Sequence, residues 1–174
     1  TVKKTYPEGS FAAENQNAEL RQGQTHTAYV RVSTAGLYAL KLTYRVEESK
    51  GQYPSVAVAV NGKVPYREAA AINLMRRWEN AEKDIKGLTN DTIPEQKEVS
   101  AEQTVYLRDN SEYYGGILYF YLNAGENRVD IYQNAESIKI SGLVFENYIS
   151  PKAYAEAKAE LHGEAYNGVP VIIE

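Results

Sequence analysis

The sequence predicts an all-β protein, a jelly-roll-like antiparallel β-sandwich with a short C-terminal helix. Three observations carry that prediction. Apolar and polar residues alternate at period two along much of the chain, and turn residues interrupt the alternation at short intervals. Tyrosine dominates the aromatic set, with fifteen Tyr against three Phe and one Trp. A tyrosine ring favours strands and carries a polar end, so it suits half-buried sheet faces and polar binding surfaces alike.

The clearest strand is 37–46, where Tyr38, Leu40, Leu42, Tyr44 and Val46 share one face and Ala39, Lys41, Thr43 and Arg45 the other. One buried and one wet face is the antiparallel pattern. Before it, 25–32 sets Ala28, Val30 and Val32 against Tyr29 and Arg31. The link Ser33-Thr34-Ala35-Gly36 ends in a glycine able to supply a positive φ, so the two strands read as a hairpin. Val56, Val58 and Val60 alternate with small residues in 55–60, and Asn61-Gly62 follows, a strong type I′ turn signal.

Further strands are predicted at 70–75, 103–108, 117–122, 128–132 and 137–145. In the last, Ile138 and Ile140 share a face while Leu143 and Phe145 switch parity, and Gly142 marks the expected bulge. The stretch 79–102 is polar, contains Gly87 and Pro94, and reads as a long functional or mobile insertion. Ser150-Pro151 supplies an N-cap and a proline at the first helical position, and an alanine-rich stretch runs to Gly163, so 150–163 reads as a helix. The expected organisation is therefore an N-terminal linker at 1–10, the sandwich at 11–149, the helix at 150–163, and a linker or the start of a following domain at 164–174.

Composition excludes several classes of function. The formal charge is −4 and Lys and Arg are scattered, so the basic stripe that nucleic-acid binding needs is missing. No run of about 18 apolar residues is present, and no membrane contact is expected of this domain. Without cysteine there is no disulfide framework or thiol nucleophile. The two histidines, His26 and His162, do not make a zinc site, and no G-x-S-x-G elbow accompanies them. No G-x-x-x-x-G-K-[ST] phosphate loop occurs. The expectation is a protein that is not an enzyme.

Sugar recognition is the functional option the residues favour. Sugars offer flat CH faces for aromatic stacking and hydroxyls for planar polar partners, so a site wants aromatic rings beside Arg, Asn, Asp or Glu on loops held by a rigid scaffold. Two stretches fit: Arg77-Trp78 at the start of the long polar stretch, and 109–114 before the strand at 117. Trp78, Tyr113 and Tyr114 are the predicted stacking residues, with Arg77, Asp109 and Glu112 for hydroxyls. Tyr119 and Tyr121 point away from Leu118, Phe120 and Leu122 and are expected to line a second sheet face. Asp109-Asn110-Ser111-Glu112 also has the oxygen donors calcium prefers, but reads first as a turn.

An ordered series of segments carries a family resemblance. It runs through 36–44, then Val58-Ala59-Val60-Asn61-Gly62-Lys63-Val64-Pro65-Tyr66-Arg67-Glu68-Ala69, then Leu74-Met75-Arg76-Arg77-Trp78 and 90–98 with Pro94 and Gln96. Leu107-Arg108-Asp109, Tyr113-Tyr114 and Leu118-Tyr119-Phe120-Tyr121-Leu122, with Gly125 and Asn127, complete it. The chain resembles the galactose-binding-like β-sandwich domains of bacterial extracellular solute-binding lipoproteins associated with sugar ABC transporters. More distantly it is similar to carbohydrate-binding modules of the same fold.

The resemblance implies a non-catalytic accessory domain cut from a larger secreted bacterial protein, extracellular and anchored to the cell surface through the rest of that protein. Its implied partners are a glycan or oligosaccharide and the neighbouring domains, and no cofactor is implied. The only echo of a structural calcium site is Phe11-Ala12-Ala13-Glu14-Asn15, which loosely matches the carboxylate-containing opening strand where such modules often hold that ion. The alternative is a structural module without its own ligand, packing on neighbouring domains through tyrosine-rich faces and the C-terminal helix.

Overall fold

A computed structural model describes residues 5–47, 51–86, 92–110 and 116–148. The predicted helix at 150–163 and the stretch 164–174 lie outside the described residues, as do Glu112, Tyr113 and Tyr114. The described chain is nearly all strand: β1 (Ser10–Ala12), β2 (Ala18–Leu20), β3 (Thr25–Val32), β4 (Gly36–Val46), β5 (Ser55–Val60), β6 (Ile72–Asn73), β7 (Arg77–Lys86), β8 (Thr92–Val99), β9 (Gln103–Tyr106), β10 (Tyr119–Leu122), β11 (Gly125–Ala135) and β12 (Ile138–Glu146). Every ladder is antiparallel. A six-stranded sheet runs β1-β12-β4-β10, with β2 also on β12 and β9 also on β4. A four-stranded sheet runs β3-β11-β5-β6, and β7 and β8 form a ribbon of their own. This is the expected jelly-roll-like antiparallel sandwich.

The core lies where the alternating apolar faces of the two sheets meet. From the larger sheet come Tyr38, Leu40, Leu42, Tyr44, Phe120, Leu143 and Phe145, and from the smaller come Val30, Val56, Val58, Val129 and Ile131, all effectively removed from solvent. Each large apolar side chain buried in this way contributes roughly 1.5–3 kcal/mol. The buried tyrosines keep their hydroxyls satisfied: Tyr38 donates to the Thr34 carbonyl and Tyr44 to the Met75 carbonyl, both at 2.7 Å. Burial raises the pKa of Tyr38 and pushes that of Tyr44 up to about 12.

Several local predictions hold. Asn61 and Gly62 both have positive φ, 50° and 79°, as a type I′ turn requires. The parity switch in β12 is absorbed by a register shift between Ile140 and Gly142, so Ile138, Ile140, Leu143 and Phe145 all face the core. A Cβ at Gly142 would come within 2.8 Å of Thr43 Oγ1, which is why this position takes no side chain. Tyr119 and Tyr121 turn away from buried Leu118, Phe120 and Leu122, as alternation dictates.

Other predictions are corrected. β3 and β4 do not form a hairpin: β3 pairs with β11 in one sheet, and β4 with β12, β10 and β9 in the other. Each strand has one strongly apolar face, and these faces bury each other across the sandwich rather than lying side by side. The crossover is held by the Tyr38–Thr34 bond and by Leu37 N donating to the Thr5 carbonyl at 2.8 Å. Pro7 then packs so tightly on Gly36 that an added Cβ would sit 2.4 Å from the proline ring.

The strand expected at 70–75 shrinks to β6, preceded by a 3-10 turn at Arg67–Ala70. The long polar insertion is largely the β7–β8 ribbon, paired from Arg77↔Val99 to Lys86↔Thr92. Among the described residues the ribbon pairs with neither sheet, so its strands need no continuous apolar face and escape a reading based on hydrophobic alternation.

Candidate functional site

A sandwich is open along its edges, and here one opening becomes a groove. β9 is an edge of the larger sheet where it pairs with the second half of β4, and β6 is the edge of the smaller sheet. Between them runs a groove of about 290 Å3. Its apolar lining comes from Ile72, Leu74, Met75, Val105 and Leu107, and its polar lining from Asn73, Tyr106, Arg108 and Asn110. An apolar cleft with a few convergent polar groups is the usual form of a small-molecule site.

Side chains that bridge the two edges hold the groove's width. Asn110 Nδ2 donates to the Asn73 carbonyl. The Met75 carbonyl accepts both Tyr44 Oη at 2.7 Å and Gln103 Nε2 at 3.2 Å. Beyond the groove, the chain is tied back by the Arg108–Ile117 bridge and by Leu118 N donating to the Leu107 carbonyl at 2.9 Å. The walls are therefore tied through hydrogen bonds, while Met75 stays 64% exposed at the mouth.

Of the sequence-predicted residues, Arg77 and Trp78 begin β7, directly after the groove wall at Met75. Trp78 is 51% exposed and stands opposite Glu98 in the ribbon. Arg77 is exposed and pairs with Glu79 at 3.3 Å. The base of the ribbon is fixed to the sandwich. Arg76 donates to the Gln52 carbonyl, pairs with Glu98 at 3.6 Å and lies over the Tyr53 ring at 5.7 Å. Ser100 Oγ donates to the Val46 carbonyl at 2.6 Å.

Asp109 is only 6% exposed, and its backbone N donates to the Gly116 carbonyl at 3.0 Å. The residue this stretch offers to the groove is thus its neighbour Asn110. Residues 111–115, which include the predicted Glu112, Tyr113 and Tyr114, are not among the described residues.

Sequence reasoning missed Tyr106. It extends from β9 onto the outer face of the larger sheet, paired with Lys41. Its hydroxyl donates to Glu146, its ring meets Tyr148 edge-on at 4.9 Å between centroids, and Lys41 Nζ lies 5.8 Å from the ring centroid. Donating to Glu146, followed by burial, pushes the Tyr106 phenol up to about 12. Burial tends to raise the Glu146 carboxyl, but hydrogen bonds from Lys41 at 2.7 Å, from Tyr106 and from Ser10 at 2.9 Å outweigh it and hold the group below the ordinary glutamate value. The signal available in the sequence was the period-two pair Thr104 and Tyr106 opposite Val105 and Leu107.

Histidine 26 sits in β3 with Nε2 against the Asn15 carbonyl at 2.5 Å, beside the Glu14–Tyr29 bridge. Among the described residues no cluster of three His, Asp or Glu side chains is placed to hold a metal ion.

Fold and groove together define a jelly-roll-like sandwich with an edge cleft. No protein-family model and no curated protein matches the chain. Among solved structures it is similar to a GH26-CBM35 β-(1,4)-mannanase from Podospora anserina, with a TM-score of 0.44 and 15% identity over 84% of this chain and 28% of that one. It is also similar to a glycoside hydrolase family 86 β-porphyranase from Bacteroides plebeius, with a TM-score of 0.39 and 16% identity over 82% and 21% of the two chains. A family 35 carbohydrate binding module from Clostridium thermocellum gives a TM-score of 0.37 and 13% identity over 79% and 98%. The chain thus corresponds to less than a third of either enzyme and to nearly all of the isolated module.

Proposed function

We propose that this domain is a non-catalytic accessory module that binds carbohydrate in the edge groove between β6 and β9, with Trp78 as an aromatic platform beside its mouth. The observation that carries the reading is the groove itself. It has apolar walls for the CH faces of a sugar, and Asn73, Arg108 and Asn110 supply hydrogen-bonding side chains for hydroxyls. Its walls are tied together by hydrogen bonds, so little ordering is left to pay for on binding.

A binding role without catalysis is supported by the lining. Glycoside hydrolysis commonly needs two carboxyl groups flanking the bond, and among the described residues the groove lining includes no Asp or Glu. The reading extends to an extracellular protein, held at the cell surface and working beside a transporter's solute-binding component. That extension is supported only by the resemblance of the ordered sequence segments.

A glycan array probed with the domain, with and without calcium, tests the function. The expected result is a specific hit that weakens at least about tenfold, or 1.4 kcal/mol, on Trp78→Ala or Met75→Ala. Silence across plant, host and bacterial glycans would count against carbohydrate and favour a scaffold between domains.

A further inference from the structure

We infer that the site does not end at the groove but turns over Tyr106 onto the outer face of the larger sheet, so that its ligand is a stretch of several linked sugars rather than a single sugar. The inference rests on the proposed function and adds the ligand class. Tyr106 lines the edge groove and also a second recess of about 550 Å3, whose other walls are Glu8, Gly9, Ser10, Glu146 and Asn147. The two depressions therefore meet at one aromatic ring.

Strand order sets the direction of the second recess. Tyr106 of β9 stands opposite Lys41 of β4, β4 lies beside β12, and Glu146 of β12 stands opposite Ser10 of β1. At the usual strand spacing the backbones of these four neighbouring strands span about 14 Å, and the Glu146 carboxylate draws the Tyr106 and Ser10 hydroxyls together above them. The span runs across the strands, away from the edge groove.

The chemistry along this row suits a chain of hydroxyls. Glu146 Oε1 accepts from Lys41 and Tyr106, while Oε2 accepts from Ser10. A carboxylate offers about four lone-pair sites, so Glu146 retains room for a further donor. Lys41, its side chain 31% exposed, has three N–H donors and directs one to Glu146. The Tyr106 ring is fixed by its hydroxyl bond and by the edge of Tyr148, as a stacking surface at the bend should be. Tyr119 and Tyr121 continue the aromatic character of this face along β10, and Tyr6 meets the Tyr119 ring at 5.0 Å.

Calorimetric titration with cello-, manno-, xylo- and β-1,3-galacto-oligosaccharides of about two to six units tests the inference. The inference expects affinity in at least one series to rise about tenfold or more between the dimer and the longer members. Ser10→Tyr fills the far recess from an exposed edge strand, and Glu8→Trp fills it from the adjoining segment. Either should remove that length-dependent gain and leave dimer affinity within about twofold. Their melting curves establish that both variants remain folded, and agreement between them guards against a local defect in one.

A dimer affinity equal to that of the longest member, or a length gain that survives both fillings, overturns the extension while leaving groove binding intact. If no series binds, the function reading falls and the extension with it.

Discussion

Tyr44→Phe separates a buried phenol's packing from its ionisation. Tyr44 is fully buried on the inner face of β4, and burial pushes its hydroxyl from about 10 in an unfolded chain up to about 12. A folded-state value above the unfolded one means that the unfolded chain ionises first as pH rises. The stabilisation is therefore complete below pH about 10 and is lost as pH climbs from there through about 12. Two pKa units correspond to about 2.7 kcal/mol.

At neutral pH the substitution keeps the ring and removes one hydrogen bond. The Met75 carbonyl keeps Gln103 Nε2 as a donor at 3.2 Å, so the loss should fall near the low end for a hydrogen bond, about 0.5–1 kcal/mol. Urea unfolding followed by circular dichroism between pH 7 and 12 measures both effects. The variant should begin slightly less stable and then lose about 2–3 kcal/mol less than the parent over the alkaline interval. Tyr106 titrates high in both proteins and cancels in the comparison. Parallel curves to pH 12 would refute the assignment of a buried, neutral phenol at Tyr44.

Three further outcomes follow from the same contacts. Glu146 has a pKa lowered from the ordinary value of 4.5, so its stabilisation is present above that value and is lost as pH falls through its folded value; Glu146→Gln should flatten the acid limb of a melting-temperature profile. Asn127 is fully buried and uses its whole amide: it accepts from Asn123 N and Asn61 Nδ2, both at 2.9 Å, and donates to the Asn123 and Gly125 carbonyls at 2.7 and 3.2 Å. Asn127→Ala should cost about 2–3 kcal/mol by urea unfolding, and Asn127→Asp, which loses both donors, should not restore it. Gly36→Ala would drive a methyl into Pro7 and the Thr5 carbonyl and should cost about 1–3 kcal/mol in the same assay.

What was legible in the sequence were strands whose alternation reports burial on one face. β3 and β5 lie at their expected bounds, and the turn at Asn61-Gly62 and the bulge at Gly142 follow from local chemistry. Pairing was not legible. An apolar face specifies that a strand packs against something, but not whether its partner lies beside it or across the core, and β3 and β4 take the second course. Strands with little apolar pattern, such as β1, β2 and the β7–β8 ribbon, gave no hydrophobic alternation to read.

The same distinction governs the candidate site. Trp78 could be singled out because tryptophan is unique in the chain, and the structure leaves it exposed in the ribbon strand that starts two residues after Met75. Tyr106 could not be singled out among fifteen tyrosines, because its place depends on which strand lies at an edge. Met75 and Arg108 became groove residues only when two strands distant in sequence became the facing edges of different sheets.

The most direct test of the central claim, that the β6–β9 groove binds carbohydrate, is an amide chemical-shift map of the domain titrated with the four oligosaccharide series. The predicted result is shifts concentrated at Asn73, Met75, Tyr106, Arg108 and Asn110, together with the Trp78 indole N–H. Shifts gathered instead around Tyr29 and Tyr132 on the other sheet, or no shifts with any series, would contradict it.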